Sequence, residues 1–302
     1  MDCPSVSVII ATYNRDEPLC SAISSVLAQR YPGKMQLIVV DQTPGHSEEV
    51  AAFLHQHEKE IRYLRLAEPN LPAARNAGIA EACGELLLFV DDDIILPRDA
   101  VSRLASHFQT QGSRALSGLV LPEKDPETSL KQYAQECGPR VLSPNSNLIE
   151  ARRFIGALMC VPGETVRRVG GFDEKLGRLT PTAFGEDYDF CHRLRKAHVP
   201  LFIDPSVRVT HRDHVAGGCE SRKIDPDLAV RYQVRARAYM SLKHYGRVGL
   251  RGWGRILRGF VLNRATLRVG IRHVLRRFSL ARRAVAEARG FATVERAGPS
   301  RR

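Results

Sequence analysis

Apolar positions along the chain follow two alternating periods. Val6–Ala11 (VSVIIA), Gln36–Val40 (QLIVV) and Glu85–Val90 (ELLLFV) are short, nearly unbroken apolar runs rich in β-branched residues, a pattern that predicts buried strands. Between the first two, Leu19, Ile23, Val26 and Leu27 recur at helical spacing until Tyr31-Pro32-Gly33 breaks the run. A second helix is expected over residues 47–60, with Val50, Phe53 and Leu54 inward. Ile61–Ala67 alternates, as an edge strand does. Pro72 then opens a third helix, with Gly84 in the C′ place that usually ends one. Continuous apolar strands alternating with helices predict an α/β fold with a mostly parallel sheet covered on both faces.

Such sheets bind ligands off the carboxyl ends of their strands. Those ends carry Thr12-Tyr13-Asn14-Arg15, Asp41 and Asp91-Asp92-Asp93. The last group sits inside LLLFVDDDIILP, apolar on both sides. Two carboxylates ~4 Å apart repel by about 4 kcal/mol at an effective dielectric near 20. The cluster must therefore face water or hold a cation, and oxygen ligands beside a phosphate site suit Mg2+ or Mn2+. No G-x-G-x-x-G follows the first strand and no G-x-x-x-x-G-K-[ST] occurs, which argues against a dinucleotide oxidoreductase and a P-loop NTPase.

VSVIIATYNR, IVVD, LPAARNAGIAEACGELLLFVDDDIILP, VGGFDEKL and GEDYDFCHRLRKAHVPLFIDPSVRVTH stand in this order between Val6 and His211. This succession resembles the family 2 glycosyltransferases of the GT-A fold. The resemblance implies a Rossmann-like nucleotide-sugar-binding sheet, a divalent metal, and transfer with inversion at the anomeric carbon. It implies nucleotide contacts for Thr12, Tyr13, Arg15 and Arg75, and a hydrogen bond from the base to Asp41. Asp91 and Asp93 match the ends of the Asp-x-Asp motif, with Asp92 between them at the nucleotide sugar and Asp93 favoured for direct metal contact. Asp187 matches the general base, with Glu186 beside it, and His211 a histidine that in some members completes the metal site. Glu186 and Asp187 are also placed to cap a helix beginning near Tyr188. Gly170-Gly171 reads as a tight turn before a core Phe172, and Asn76 and Gly78 as helix-packing residues.

Two departures from the family pattern matter. Asp41 continues as Gln42-Thr43-Pro44 and not as Asp-Gly-Ser, which loosens the expected base and ribose contacts. No Q-x-x-R-W segment is present, so a single sugar per encounter is expected.

The chain divides into a nucleotide-sugar half (1–121), an acceptor and catalytic half (122–227) and a tail (228–302). Residues 122–150 are expected to cross between the halves as a loop with a short helix, and 177–186 to form a mobile loop before the base. The net charge of +12 belongs to the tail: residues 231–302 hold 19 Lys and Arg against two Glu (+17), and residues 1–230 hold 26 against 31 (−5). Arg264, Arg268, Arg272 and Arg276 recur every four residues, with Leu267, Ile271, Val274, Leu275 and Phe278 on another face. That is a basic amphipathic helix, suited either to an anionic membrane surface (residues 228–290) or to packing on the catalytic domain. Sparse aromatic residues and no reader motif argue against nucleic acid, and residues 290–302 are expected to be disordered.

Seven scattered cysteines without a C-x-x-C pair read as reduced thiols. No run approaches the ~20 apolar residues of a membrane span. Together these lead to an expectation of a cytoplasmic enzyme, peripheral on the inner membrane face where the tail docks. The expected partners are a nucleotide-sugar donor, UDP- or dTDP-linked, and a glycan or lipid-linked acceptor. The alternatives are a sugar-phosphate nucleotidyltransferase, which would need a Gly-rich basic loop that ATYNRDEP does not supply, and a non-catalytic protein recruited to membranes.

Overall fold

The computed structural model describes residues 3–108, 114–145, 147–151, 154, 156–179, 185–212, 225–262, 264–269 and 271–296. The chain forms two compact units, Met1–Glu174 with Glu186–Cys219, and Lys175–Gly185 with Glu220–Arg302.

The first unit begins β1 (Val6–Thr12), α1 (Glu17–Leu27), β2 (Met35–Asp41), α2 (Glu48–Gln56), β3 (Ile61–Arg65), α3 (Leu71–Glu81) and β4 (Leu86–Asp91). It continues with β5 (Ile94–Ile95), α4 (Ala100–Ser106), β6 (Ala115–Pro122), α5 (Pro126–Cys137), β7 (Ile149–Glu150), β8 (Leu158–Pro162) and α6 (Gly163–Val169). Across the unit boundary lie α7 (Glu174–Leu179), then α8 (Glu186–Lys196) and β9 (Leu201–His211). The sheet order is β3-β2-β1-β4-β8-β6-β9-β5, with β7 also paired to β9. β1 to β4 are mutually parallel as expected, and β3 lies at the edge. Beyond β4 the sheet becomes mixed, because β8 runs antiparallel to both β4 and β6.

Both faces of the sheet are buried, which is why its strands lack polar alternation. Val6, Val8 and Ile10 of β1 face one core with Leu19, Ile23 and Val26 of α1 and Leu104 of α4. Ile9 and Ala11 face the other, with Ala74 of α3, Val166 of α6 and Phe190 of α8. Side-chain caps fix where helices start: Ser47 accepts from Val50 N (3.4 Å) and Asn70 from Ala73 N (3.2 Å). Gly170 and Gly171 take positive φ (86° and 61°) in the turn that delivers Phe172, whose ring stacks on Phe190 at 4.5 Å. The crossing segment carries a helix of three turns, α5, started by Asp125 accepting from Thr128 N.

Gly84 does a different job from the one its position suggests. α3 ends at Glu81 with Ala82 extended, and no left-handed residue follows. A Cβ on Gly84 would stand 2.4 Å from Ser7 N and 2.8 Å from Val6 C, so this glycine lets the chain enter β4 against the backbone of β1.

The second unit contains α9 (Pro226–Tyr245), α10 (Leu250–Ile256), a π-helical turn (Leu257–Val261), α11 (Arg264–Val269) and α12 (Ile271–Arg296). Val234, Ala238 and Tyr239 of α9 bury Ala281, Ala284, Val285 and Ala288 of α12, and Leu176 of α7 joins this core. Arg231 and Arg235 pair with Glu287 across the same contact. These small apolar residues carry α12 to Arg296, past residue 290 where composition predicts disorder. The expected basic helix is two elements, α11 and α12, and the Arg264 side chain lies outside the described residues. No described helix is long and apolar enough to cross a membrane.

Replacing Gly84 by alanine should cost about 2 kcal/mol, as overpacking against backbone typically does. Urea unfolding checks it; an unchanged midpoint would mean that the β1 backbone yields.

Candidate active site

The chain leaves β1 for β2 and β3 on one side and returns as β4 on the other, so the carboxyl ends of β1 and β4 flank a switch point. The register Ala11↔Asp91 sets Thr12 beside the three aspartates. Thr12 Oγ1 donates to Asp92 Oδ2 at 2.7 Å, and Arg15 Nη1 donates to Asp92 Oδ1 at 3.0 Å and to Asp93 Oδ2. Tyr13 is half-buried next to them.

After Asp93 the chain turns into β5, whose antiparallel pairing sets Ile94 opposite His211 of β9. Arg212 N donates to Asp93 O at 2.9 Å, and the His211 Nε2 atom comes 3.3 Å from Asp93 Oδ1. That carboxylate oxygen is buried and has no hydrogen-bond partner of proper geometry. One ligand atom from each of Asp91, Asp93 and His211 lies within 4.8 Å of the others. Two carboxylates and an imidazole, with a buried oxygen short of a donor, fit a divalent cation such as Mn2+ or Mg2+. Burial works to raise the Asp93 pKa, but His211 and Arg15 outweigh it and hold the group at about 2. Asp92 goes the other way: burial and the neighbouring Asp93 charge push it up to about 7 despite Arg15.

Arg75 projects from α3 into the protein and is 3% exposed. Nη2 donates to Asp91 Oδ1 at 2.9 Å and to Gly156 O at 3.0 Å, Nη1 donates to Glu186 Oε1 at 3.1 Å, and the guanidinium lies over the Phe172 ring. It thereby links the end of β4 to the start of α8. Glu186 and Asp187 occupy the first turn of α8, where carboxylates suit the helix dipole. Asp187 Oδ2 accepts from Gly156 N at 3.2 Å, and its side chain is partly exposed. Glu186 is buried, and burial followed by the Asp187 charge raises its pKa to about 8, although Arg75 opposes this.

At the end of β2, Asp41 is fully buried. Oδ1 accepts from Thr43 N at 2.7 Å, and Oδ2 meets both Tyr63 Oη and His46 Nε2. The other His46 nitrogen, Nδ1, reaches Asp16 Oδ1 at 2.6 Å. Burial opposes ionisation of Asp41, but the Tyr63, Thr43 and His46 hydrogen bonds hold it low; His46 is raised by its two carboxylates against its own burial. His46, Tyr63 and Asp16 carry no local sequence signal, since a lone histidine after Pro44-Gly45 reads as loop. His214, which the sequence alone reads as an ordinary surface histidine, and residues 180–184 of the expected loop lie outside the described residues.

Residues 7–175 match the sequence profile of Glycosyl transferase family 2. The chain is 31% identical over 196 residues to an N-acetylglucosaminyltransferase of Mesorhizobium japonicum, a match covering 61% of this chain and 46% of that one. It thus spans about half the length of that relative. Among solved structures, S. aureus TarS 1–349 in complex with UDP-GlcNAc aligns with a TM-score of 0.57 and 16% identity over 80% of this chain and 67% of that one. The mannosyltransferase PcManGT from Pyrobaculum calidifontis, in complex with GDP-Man and Mn2+, aligns with a TM-score of 0.58 and 17% identity over 97% and 79%. These likenesses show the shared GT-A fold. With more than half of its length matched, the chain belongs to glycosyl transferase family 2.

Proposed function

We propose that this chain transfers one sugar, with inversion, from a nucleoside-diphosphate donor to a hydroxyl of a glycan or lipid-linked acceptor. The observation that carries the reading is the convergence of Asp91, Asp93 and His211 at the mouth of the sheet, joined through Arg75 and Gly156 to Asp187. Donor contacts fall to Thr12, Tyr13, Arg15 and Asp92 in the half before residue 122, and the acceptor to the half that follows. The relative's name and the UDP-GlcNAc in TarS favour a UDP-linked N-acetylglucosamine.

Asp91, Asp93 and His211 would hold Mn2+ or Mg2+, which would supply positive charge to the departing diphosphate. Asp187 receives the proton of the acceptor oxygen as that oxygen attacks, and a single displacement with a single base inverts the anomeric centre. Glu186, whose pKa burial and the Asp187 charge push up to about 8, keeps its proton at neutral pH. The basic second unit brings the enzyme to an anionic membrane face, where a lipid-linked acceptor is presented.

Three outcomes test this reading. Asp93→Ala should abolish Mn2+-dependent donor binding in calorimetry, and retained affinity would remove Asp93 from the metal site. Asp187→Asn should bind donor normally and lose roughly 10²–10⁴-fold in transfer; full activity would assign the base elsewhere and a wild type inert with every donor would favour a binding protein. Glu186 titrates higher folded than unfolded, so its contribution to stability is complete below its ordinary value near 4.5 and is lost as pH rises towards about 8. Glu186→Gln should therefore gain on wild type in thermal melts across that window and level off above it. A gap independent of pH would mean that Glu186 is ionised throughout.

A further inference from the structure

Helix α12 carries two apolar faces. Val274, Ala281, Ala284, Val285 and Ala288 pack into the core of the second unit. Ile271, Leu275 and Phe278, spaced four and three apart, form a separate stripe that is 70%, 61% and 40% exposed. One residue further on, about 100° round the helix, Arg272, Arg276 and Arg283 form an exposed row, and Arg282 ends the stripe. Leu262 and Leu267, just before α12, are also about half exposed. No acidic residue occurs from Leu228 to Ala286.

We propose that the Ile271-Leu275-Phe278 stripe is a docking surface for an anionic lipid bilayer, entering the headgroup boundary while the neighbouring arginines meet lipid phosphates. This names the residues behind the membrane-side reading above and rests on that reading only for its destination. The occupant follows from charge and apolarity together. A second copy of the chain would set one arginine row against another, with only Asp227, already paired to Arg276 and Arg277, to relieve it. A nucleic-acid backbone satisfies the arginines and leaves three large apolar side chains in water. A bilayer boundary satisfies both.

Sedimentation of the full chain with vesicles, without donor or acceptor, tests this surface and is blind to glycosyl transfer. Wild type should pellet with phosphatidylcholine vesicles containing phosphatidylglycerol and remain in solution with phosphatidylcholine alone. Ile271→Ser/Leu275→Ser/Phe278→Ser should weaken the partition roughly tenfold or more, with an unchanged circular dichroism melt. Should that variant melt early, Leu275→Ser alone should give a smaller loss in a fully folded protein. Arg272→Gln/Arg283→Gln should weaken binding and flatten its salt dependence. The proposal is overturned if wild type ignores anionic vesicles or if the folded stripe variant binds them equally well. It is likewise overturned by a wild-type dimer that the stripe substitutions dissociate, or by an oligonucleotide bound in preference to the vesicles.

Discussion

Everything at the mouth of the sheet depends on how five clustered carboxylates are compensated. Asp91, Asp92, Asp93, Glu186 and Asp187 share two guanidiniums, Arg15 and Arg75, and one imidazole, His211. Like charges ~4 Å apart cost about 4 kcal/mol per pair at an effective dielectric near 20, so this set cannot stay fully ionised. Protons go first to the most enclosed members, Glu186 at about 8 and Asp92 at about 7. Asp91 and Asp93 then lie together beside His211, with one buried Asp93 oxygen short of a hydrogen bond of proper geometry. A divalent cation would neutralise their charge, and the same positive charge would then serve the proposed diphosphate leaving group.

Backbone pairing, and not side-chain flexibility, assembles this cluster. Parallel β1 and β4 align Thr12 with the aspartates, and the two-residue β5 exists to turn Asp93 under the end of β9. Arg75 adds the third connection, reaching from α3 to Gly156 and Glu186. Both of its terminal nitrogens are engaged, by the carboxylates of Asp91 and Glu186 and the carbonyl of Gly156. Asp41 shows a similar inward turn. With Gln42-Thr43-Pro44 following it, the carboxylate is closed over by Thr43, Tyr63 and His46, so the departure from Asp-Gly-Ser has a structural consequence at the end of β2.

The parallel half of the fold was legible because each strand there is buried on two faces and each helix has one apolar side. The aspartates were legible because three charges between apolar runs need a reason. The mixed half was not: β8 reads as an ordinary apolar run, and nothing local says that it runs against β4 and β6. Gly84 was misread for a related reason, since helix-ending glycine and close-packed glycine look identical until the Ser7 backbone is known to lie 2.4 Å from its missing Cβ. His46, Tyr63 and Asp16 meet Asp41 only through tertiary pairing of β2, β3 and the start of α1, a distance relation invisible to spacing. In the tail, apolar periodicity was visible, but one helix carrying both a buried and an exposed apolar face defeats a reading that allows each helix a single core-facing stripe.

The distribution of charge along the chain follows from the same problem. A site built from carboxylates, in a segment of net −5, repels both an anionic donor and an anionic surface. The proposed donor would be accommodated locally, by Arg15 and by ligands suited to a divalent cation. The anionic surface proposed for the tail would not be accommodated so, because attraction to it must extend over many ångströms and survive a screening length of about 8 Å at physiological salt. Such a surface would need a dense, separate block of positive charge, and residues 231–302 carry +17. Keeping these arginines in their own helical unit leaves the carboxylate cluster to Arg15, Arg75, His211 and the proposed metal. Interspersing them through the sheet would neutralise the very groups on which the proposed chemistry rests.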